Sequence, residues 1–382
     1  MAVAQRLREL KNQRDNGVLS LGRSPALSAW LAHWMEAKKP KLKPKTYETY
    51  QAAIDRYLPA WLGAVKLDKL TAEHLEQAYA ALRDDRRLAD TTIYQLHAVL
   101  RGALELARRR GRIPVNVATM VVAAPSTVAK RVAPFTDAEL DKIYTAIADT
   151  PYEARWTFAL EQGPRPGEAI ALEWSEVDFD EGAILVKQQL QTIDGELRLV
   201  QYAKSDAGRR KIPMPDYLAE LLRTHRARQL AQMAEAKKWG GWRDPEEPDD
   251  VVHAFVFPSQ NAPGMPITPS GDTLQWRRIL DKAGVPKVRR YVARHTAASR
   301  MIAAGIDLTV VAEILGHANI QMLVKVYAHA LEERKKMAAA VMDMAWRTRS
   351  GAPYVAPYSP DSERTEAAVS DTAHGAEPQN HG

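Results

Sequence analysis

The chain has 382 residues, a net charge of +6, and 46% hydrophobic and 26% charged residues, the balance of a globular protein able to bury a core. It contains no cysteine, which excludes a disulfide framework, a thiolate metal centre and a cysteine nucleophile. No run of about 18 apolar residues marks a membrane span, and the opening stretch MAVAQRLRELKNQRDNG lacks the apolar segment of a secretory signal.

Residues 1–23 read as a basic, amphipathic helical segment that ends near Gly17 and Gly22. Residues 24–122 read as a helical domain. Its clearest helix opens at Asp90, taken as the N-cap, and carries Ile93, Leu96, Leu100, Leu104 and Ala107 at spacings of three and four. Arg101, Arg108, Arg109, Arg110 and Arg112 form its basic flank and end, and Gly111 supplies the stop. Arginines near a helix C-terminus favour the helix dipole. Four within five residues exceed what capping needs and point to contact with phosphate.

Residues 123–135 read as a linker containing Pro125 and Pro134. Thr136 with Glu139 three residues on is a capping box that opens a second, mixed domain over residues 136–349. Asp194-Gly195 between β-rich runs predicts a tight hairpin, and KIPMP predicts a further short strand. Helices resume at Asp216 and continue to about Trp346, with loops expected near 240–250 and 258–272. Residues 350–382 carry one Arg and no Lys against five acidic residues, with few large apolar side chains, and are expected to be a disordered tail. The predicted class is mainly α with a small antiparallel sheet, an α+β fold.

Four short stretches carry the chemistry. They are Gly163-Pro164-Arg165-Pro166-Gly167-Glu168; Ala203-Lys204-Ser205; Tyr291-Val292-Ala293-Arg294-His295-Thr296; and Leu315-Gly316-His317 followed by Tyr327-Ala328-His329. Arg165 and Arg294 each stand at or near a helix start, where two converging guanidiniums would clamp one phosphate. Lys204, on a hairpin tip, could reach such a site as a proton donor, and His317, after a helix stopped by Gly316, could project into a cleft. Tyr327 could supply a hydroxyl nucleophile. Taken singly, each has an ordinary structural explanation: a surface ion pair for an arginine with Glu at i+3, packing for a lone Tyr or His.

Together, in this order and spacing, the motifs resemble the tyrosine recombinase (phage integrase) family over about residues 25 to 345. The resemblance implies a helical core-DNA-binding domain followed by a catalytic domain. It matches Arg165 and Arg294 to the two catalytic arginines, Glu168 to the acidic residue supporting the first, and Lys204 to the catalytic lysine. It matches His317 to a position filled by His or Trp, Tyr327 to the nucleophile, and His295 to a supporting position. Two positions depart from the pattern. Tyr291 stands where the family usually has His; a tyrosine hydroxyl can donate to a phosphate oxygen but accepts a proton poorly. Leu323 stands where Thr is frequent, with no catalytic consequence expected.

The resemblance further implies DNA cleavage and rejoining through a 3′-phosphotyrosine, with no cofactor and no metal. It implies integration or excision of a phage or mobile element at double-stranded attachment sites. A homotetramer on two duplexes, accessory DNA-bending or directionality proteins, and a place in the bacterial cytoplasm at the nucleoid go with it. Met337, Val341, Met342 and Trp346 are available for docking a C-terminal helix on a neighbour. Larger integrases carry a β-rich arm-binding module before the core-binding domain, and residues 1–23 resemble the helix that follows it. The alternatives are a chromosome or transposon resolvase of the same family, and a catalytically inactive DNA-binding regulator with Tyr291 as its lesion.

Overall fold

The computed structural model describes residues 24–122, 124–125, 133–203, 207–236, 239–248, 250–317 and 328–350, with backbone alone for 328–337 and 350. Residues 1–23 and the tail beyond 350 lie outside the described residues, as do Lys204, Leu323 and Tyr327. The chain divides into two compact units. One runs to Ala297 and takes in Ile314–Gly316; the other comprises Ala298–Glu313 and the residues from His317.

Among the described residues, the first unit opens with five helices: α1 (Leu27–Lys38), α2 (Pro44–Tyr57), α3 (Ala60–Ala64), α4 (Ala72–Asp84) and α5 (Asp90–Arg109). They share one core, from Leu27 to Val121. Helix α5 buries Ile93, Leu96, Leu100, Leu104 and Ala107 as its periodicity requires, with Val99 and Ala103 beside them. Its start differs from expectation by one residue. Ala89 is the N-cap, and Asp90, already helical, turns its carboxylate to Arg83 at 3.0 Å. An exposed carboxylate with a nearby guanidinium has a partner that competes with capping.

A separate core begins at Phe135. Helix α6 (Asp137–Ile147) opens with the Thr136–Glu139 capping box. Helices α7 (Glu153–Gln162) and α8 (Pro166–Ile170) follow, and Trp156 of α7 stacks at 4.3 Å on Trp276 of α10 (Pro269–Ala283). Helix α9 (Asp216–Glu235) lies between them in sequence. Helix α10 starts at Pro269 behind an N-cap at Thr268, so the loop expected to reach 272 is shorter.

Strands β1 (Val177–Asp178), β2 (Ala183–Val186) and β5 (Arg210–Pro213) form one antiparallel sheet in the order β1-β2-β5. Strands β3 (Gln188–Ile193) and β4 (Glu196–Gln201) form a separate hairpin. Asp194 and Gly195 both have positive φ, 50° and 85°, the requirement of a two-residue turn matched to strand twist. Lys45 of α2 donates to the Thr192 carbonyl near that turn at 2.8 Å. The hairpin tip is Asp194-Gly195; Lys204 follows β4 in sequence and lies outside the described residues.

Helix α11 (Tyr291–Ala303) begins in the first unit; α12 (Leu308–Leu315) ends there. The second unit also contains α13 (Ala328–Ser350), which exposes Val341, Met342, Met344 and Trp346. Among the described residues no helix is long and apolar enough to cross a membrane. The fold is mainly helical with small antiparallel sheets, as the sequence predicts.

Candidate active site

Helix α7 ends at Gly163, whose φ of +63° turns the chain sharply. Arg165 is the N-cap of α8, with Pro166 at the first helical position. Glu168, one turn on, folds back onto it. Glu168 Oε2 accepts the Arg165 backbone N–H at 2.7 Å, and Oε1 accepts Arg165 Nη1 at 2.7 Å. The spacing that caps the helix therefore also steers the arginine side chain.

Two further residues complete the surroundings of Glu168. Arg210, the first residue of β5, donates Nη1 to Oε1 at 3.1 Å and Nη2 to Oε2 at 2.9 Å. The Tyr202 hydroxyl donates to Oε1 at 3.0 Å. Burial works against the Glu168 carboxylate, yet the bonds from Arg210 and the Arg210 and Arg165 charges hold its pKa below the usual range. Burial, then proximity to Glu168, raises the Tyr202 pKa, so the phenol stays protonated as a donor.

Arg294, in the first turn of α11, is buried and fastened to main-chain oxygens: Nη1 to Gly163 O at 2.8 Å and Nη2 to Leu315 O at 2.7 Å. Arg165 Nη2 donates to the next carbonyl, Gly316 O, at 2.7 Å. The two guanidiniums, 129 residues apart in sequence (294 − 165), thus converge on the turn after α7 and the turn after α12. Burial takes the Arg294 pKa down to about 10, with the Arg165 and Arg210 charges pushing the same way and Tyr291 and Glu168 opposing. Burial also opposes charge on Arg165, but Glu168 outweighs it and the pKa rises. Both arginines remain cationic near neutral pH, and each has further N–H donors to offer.

Gly163 and Gly316 make this approach possible. A Cβ on Gly163 would meet Leu315 Cδ2 at 2.8 Å, and one on Gly316 would meet Ala207 O at 2.8 Å and Arg210 Nη1 at 2.9 Å. Gly316 also has positive φ, +69°.

Tyr291 opens α11 with 50% of its surface exposed, and the Arg294 guanidinium lies 5.8 Å from its ring centroid. His295 is partly buried beside it. The His317 backbone N–H donates to Ala312 O at 2.9 Å, closing α12; His317 belongs to the second unit. The structure thus brings together Arg165, Glu168, Arg294 and Tyr291.

Sequence reasoning missed Arg210 and Tyr202 as partners of Glu168. The available signal was phase: in β5, Arg210 and Ile212 point inward while Lys211 and Pro213 point out. A charged residue on the buried phase of a strand needs a partner. Also missed was the run Lys38, Lys39, Lys41, Lys43 and Lys45, of which all but Lys38 are exposed. Of the α5 arginines, Arg108 and Arg109 both bond Glu105, at 2.8 and 3.0 Å, and Arg110 bonds His33 at 2.7 Å. Arg101 is exposed on the same helix.

Residues 134–334 match the Phage integrase family, and residues 26–83 match the phage integrase N-terminal SAM-like domain. The chain belongs to the phage integrase family of tyrosine recombinases, enzymes that cleave and rejoin DNA strands. An integrase of Saccharopolyspora erythraea is 27% identical over 404 residues, covering 91% of this chain and 89% of its own. A XerC-like tyrosine recombinase of Caldanaerobacter subterraneus subsp. tengcongensis is 25% identical, covering 83% and 81%. The fold is similar to that of the Tn1549 transposon integrase in complex with transposon right end DNA, with a TM-score of 0.70 at 21% identity, over 82% of this chain and 100% of that one. A lambda integrase tetramer bound to a Holliday junction gives a TM-score of 0.56 at 18% identity, over 80% and 78%.

Proposed function

We propose that the chain is a site-specific integrase in which the Tyr327 hydroxyl attacks a DNA phosphate in line. The Tyr327 proton passes to water, the bond to the 5′-oxygen breaks, Lys204 protonates that oxygen, and the strand is held as a 3′-phosphotyrosine. Attack by a second 5′-hydroxyl then restores the phosphodiester and frees Tyr327. Arg165 and Arg294 hold the non-bridging oxygens, His317 adds a donor, and Tyr291 donates without taking a proton. Glu168 supports Arg165, and His295 has a structural part. The observation that carries this reading is the anchoring of both guanidiniums on the carbonyls of Gly163, Leu315 and Gly316. Donors held before the substrate arrives need no reorganisation when charge develops on phosphorus oxygens.

Around this site, residues 24–122 form the core-DNA-binding domain, 123–135 the linker and 136–349 the catalytic domain. The substrates are double-stranded attachment sites of a phage or mobile element, bound by a homotetramer on two duplexes at the nucleoid of a bacterial cell, with accessory bending or directionality proteins. The exposed stripe of α13, Val341, Met342 and Trp346, supports contact with a neighbouring protomer. Arg101, Arg108, Arg109, Arg110 and Arg112, joined by Lys39, Lys41 and Lys43, face phosphates. Glu105 must then yield Arg108 and Arg109 to DNA, and binding that rests on these phosphate contacts weakens as salt rises.

The test is covalent trapping on a nicked suicide duplex. Tyr327→Phe removes the nucleophilic oxygen alone, so DNA binding persists while the protein–DNA adduct disappears. An adduct formed by the Phe variant refutes the assignment.

A further inference from the structure

We propose that Arg210 is a positioning residue whose charge balances that of Glu168, so that Arg165 presents an undiminished positive charge to a DNA phosphate. The proposal rests on the reading of Arg165 as a phosphate contact. The Glu168 side chain has no exposed surface and accepts from Arg165 backbone N–H, Arg165 Nη1, Tyr202 hydroxyl, and Arg210 Nη1 and Nη2. Arg165 paired with Glu168 alone would be neutral when seen from the substrate. With Arg210 bound to the same carboxylate, the cluster carries one net positive charge.

The exposures assign that charge to Arg165. The Arg165 side chain is 29% exposed and that of Arg210 is 4% exposed. Each Arg210 side-chain nitrogen has a protein acceptor: Nε on Ile314 O at 2.6 Å, Nη1 on Gly208 O at 3.0 Å and on Glu168, and Nη2 on Glu168. Arg210 therefore acts through other groups. It satisfies the carboxylate electrostatically and holds the end of α12 two residues before Gly316, whose carbonyl anchors Arg165. In a buried setting the interaction between charges is far larger than in water, so one uncompensated carboxylate beside Arg165 weakens its hold on phosphate strongly.

The experiment compares the full chain with Arg210→Gln, Arg210→Lys, Glu168→Gln and the double variant Glu168→Gln/Arg210→Gln, scored by adduct formation on the nicked suicide duplex. Thermal unfolding serves as the folding control. Arg210→Gln leaves Glu168 to neutralise Arg165, and cleavage should slow roughly 10- to 150-fold, the loss of one charge-assisted hydrogen bond. The double variant restores the net charge of the cluster and should cleave at least about tenfold faster than Arg210→Gln. A purely structural role predicts the reverse, because the double variant has lost two sets of bonds. A double variant no faster than Arg210→Gln overturns the proposal. If Arg210→Gln fails to fold, Arg210→Lys decides. It keeps the charge, so it supports the proposal at a rate within about tenfold of the parent and overturns it below that. Arg165→Lys, run in parallel, tests the underlying reading. Lysine lacks the planar fork, so a near-parent rate there overturns the phosphate-clamp reading and this proposal with it. A crippled Arg165→Lys beside an unrescued double variant overturns the role of Arg210 alone.

Discussion

Tyr291 leaves half its surface to solvent at the first position of its helix, while the neighbouring Val292, Ala293 and Arg294 are buried. That exposure leaves the side chain accessible to a bound phosphate, as the proposed donor role requires. Tyr291→Phe should slow cleavage roughly 10- to 150-fold, the loss of one charge-assisted hydrogen bond of about 1.5–3 kcal/mol, without abolishing it. Single-turnover cleavage on one duplex measures this, and a Phe variant as fast as the parent removes Tyr291 from the site. Gly316→Ala is a second residue-scale prediction. The left-handed backbone alone costs about 1–2 kcal/mol, and the added Cβ would press on Ala207 O and Arg210. Thermal stability and cleavage should fall together. Glu168 was legible from its spacing to Arg165, since i+3 is a capping distance. The carbonyl acceptors of both arginines were not, because main-chain oxygens are the same at every position and only the path of the chain selects three of them.

At the scale of elements, the start of α11 is held by a buried network outside the active site. Asp272 of α10 accepts Arg155 Nη2 at 3.0 Å and also pairs with Arg290, the residue before Tyr291. Arg155 lies 4.4 Å from the Trp156 ring centroid, and Trp276 Nε1 donates to Val288 O at 3.1 Å in the approach to the helix. Asp272→Ala strands a buried guanidinium and should cost about 3–5 kcal/mol, read as a lowered midpoint in urea unfolding. An unchanged midpoint would show that the network carries no stability. None of this was legible: Asp272, Arg155 and Arg290 look like ordinary surface charges in helical patterns. The hairpin was legible because Asp-Gly is chemically suited to positive φ at both positions. The sheet order was not. β2 pairs with β5 across the intervening hairpin, a long-range choice that local pattern does not encode.

For the whole molecule, the sequence places a boundary ahead of Thr136; one core of buried residues runs from Leu27 to Val121 and another begins at Phe135, both within the first unit. The division after Ala297 was invisible, because it falls inside one continuous helix, α11. Helix α13 leads to a prediction about assembly. Met342 and Trp346 lie exposed one turn apart, and Asp343 pairs with Arg347 at 2.7 Å beside them. Burying each against a neighbour contributes about 1.5–3 kcal/mol, so Met342→Glu and Trp346→Glu should each weaken protomer association on DNA roughly tenfold or more. Sedimentation of the protein mixed with DNA measures it, and an undiminished assembly in both variants would overturn the proposed contact.

The anchoring of Arg165 and Arg294 on main-chain oxygens also bears on how such a site tolerates change over time. A point mutation can delete a carboxylate or a hydroxyl, but none deletes a peptide carbonyl. These main-chain holders are therefore immune to direct loss, whereas Glu168, which also bonds Arg165, is not. Side chains other than Glu168 and Arg210 can drift, or be randomised in a library aimed at new DNA targets, while these main-chain contacts stay in place. Vulnerable too are the positions that shape the backbone. Gly163 and Gly316 each have positive φ and no room for a Cβ, and they are where neutral drift should stop.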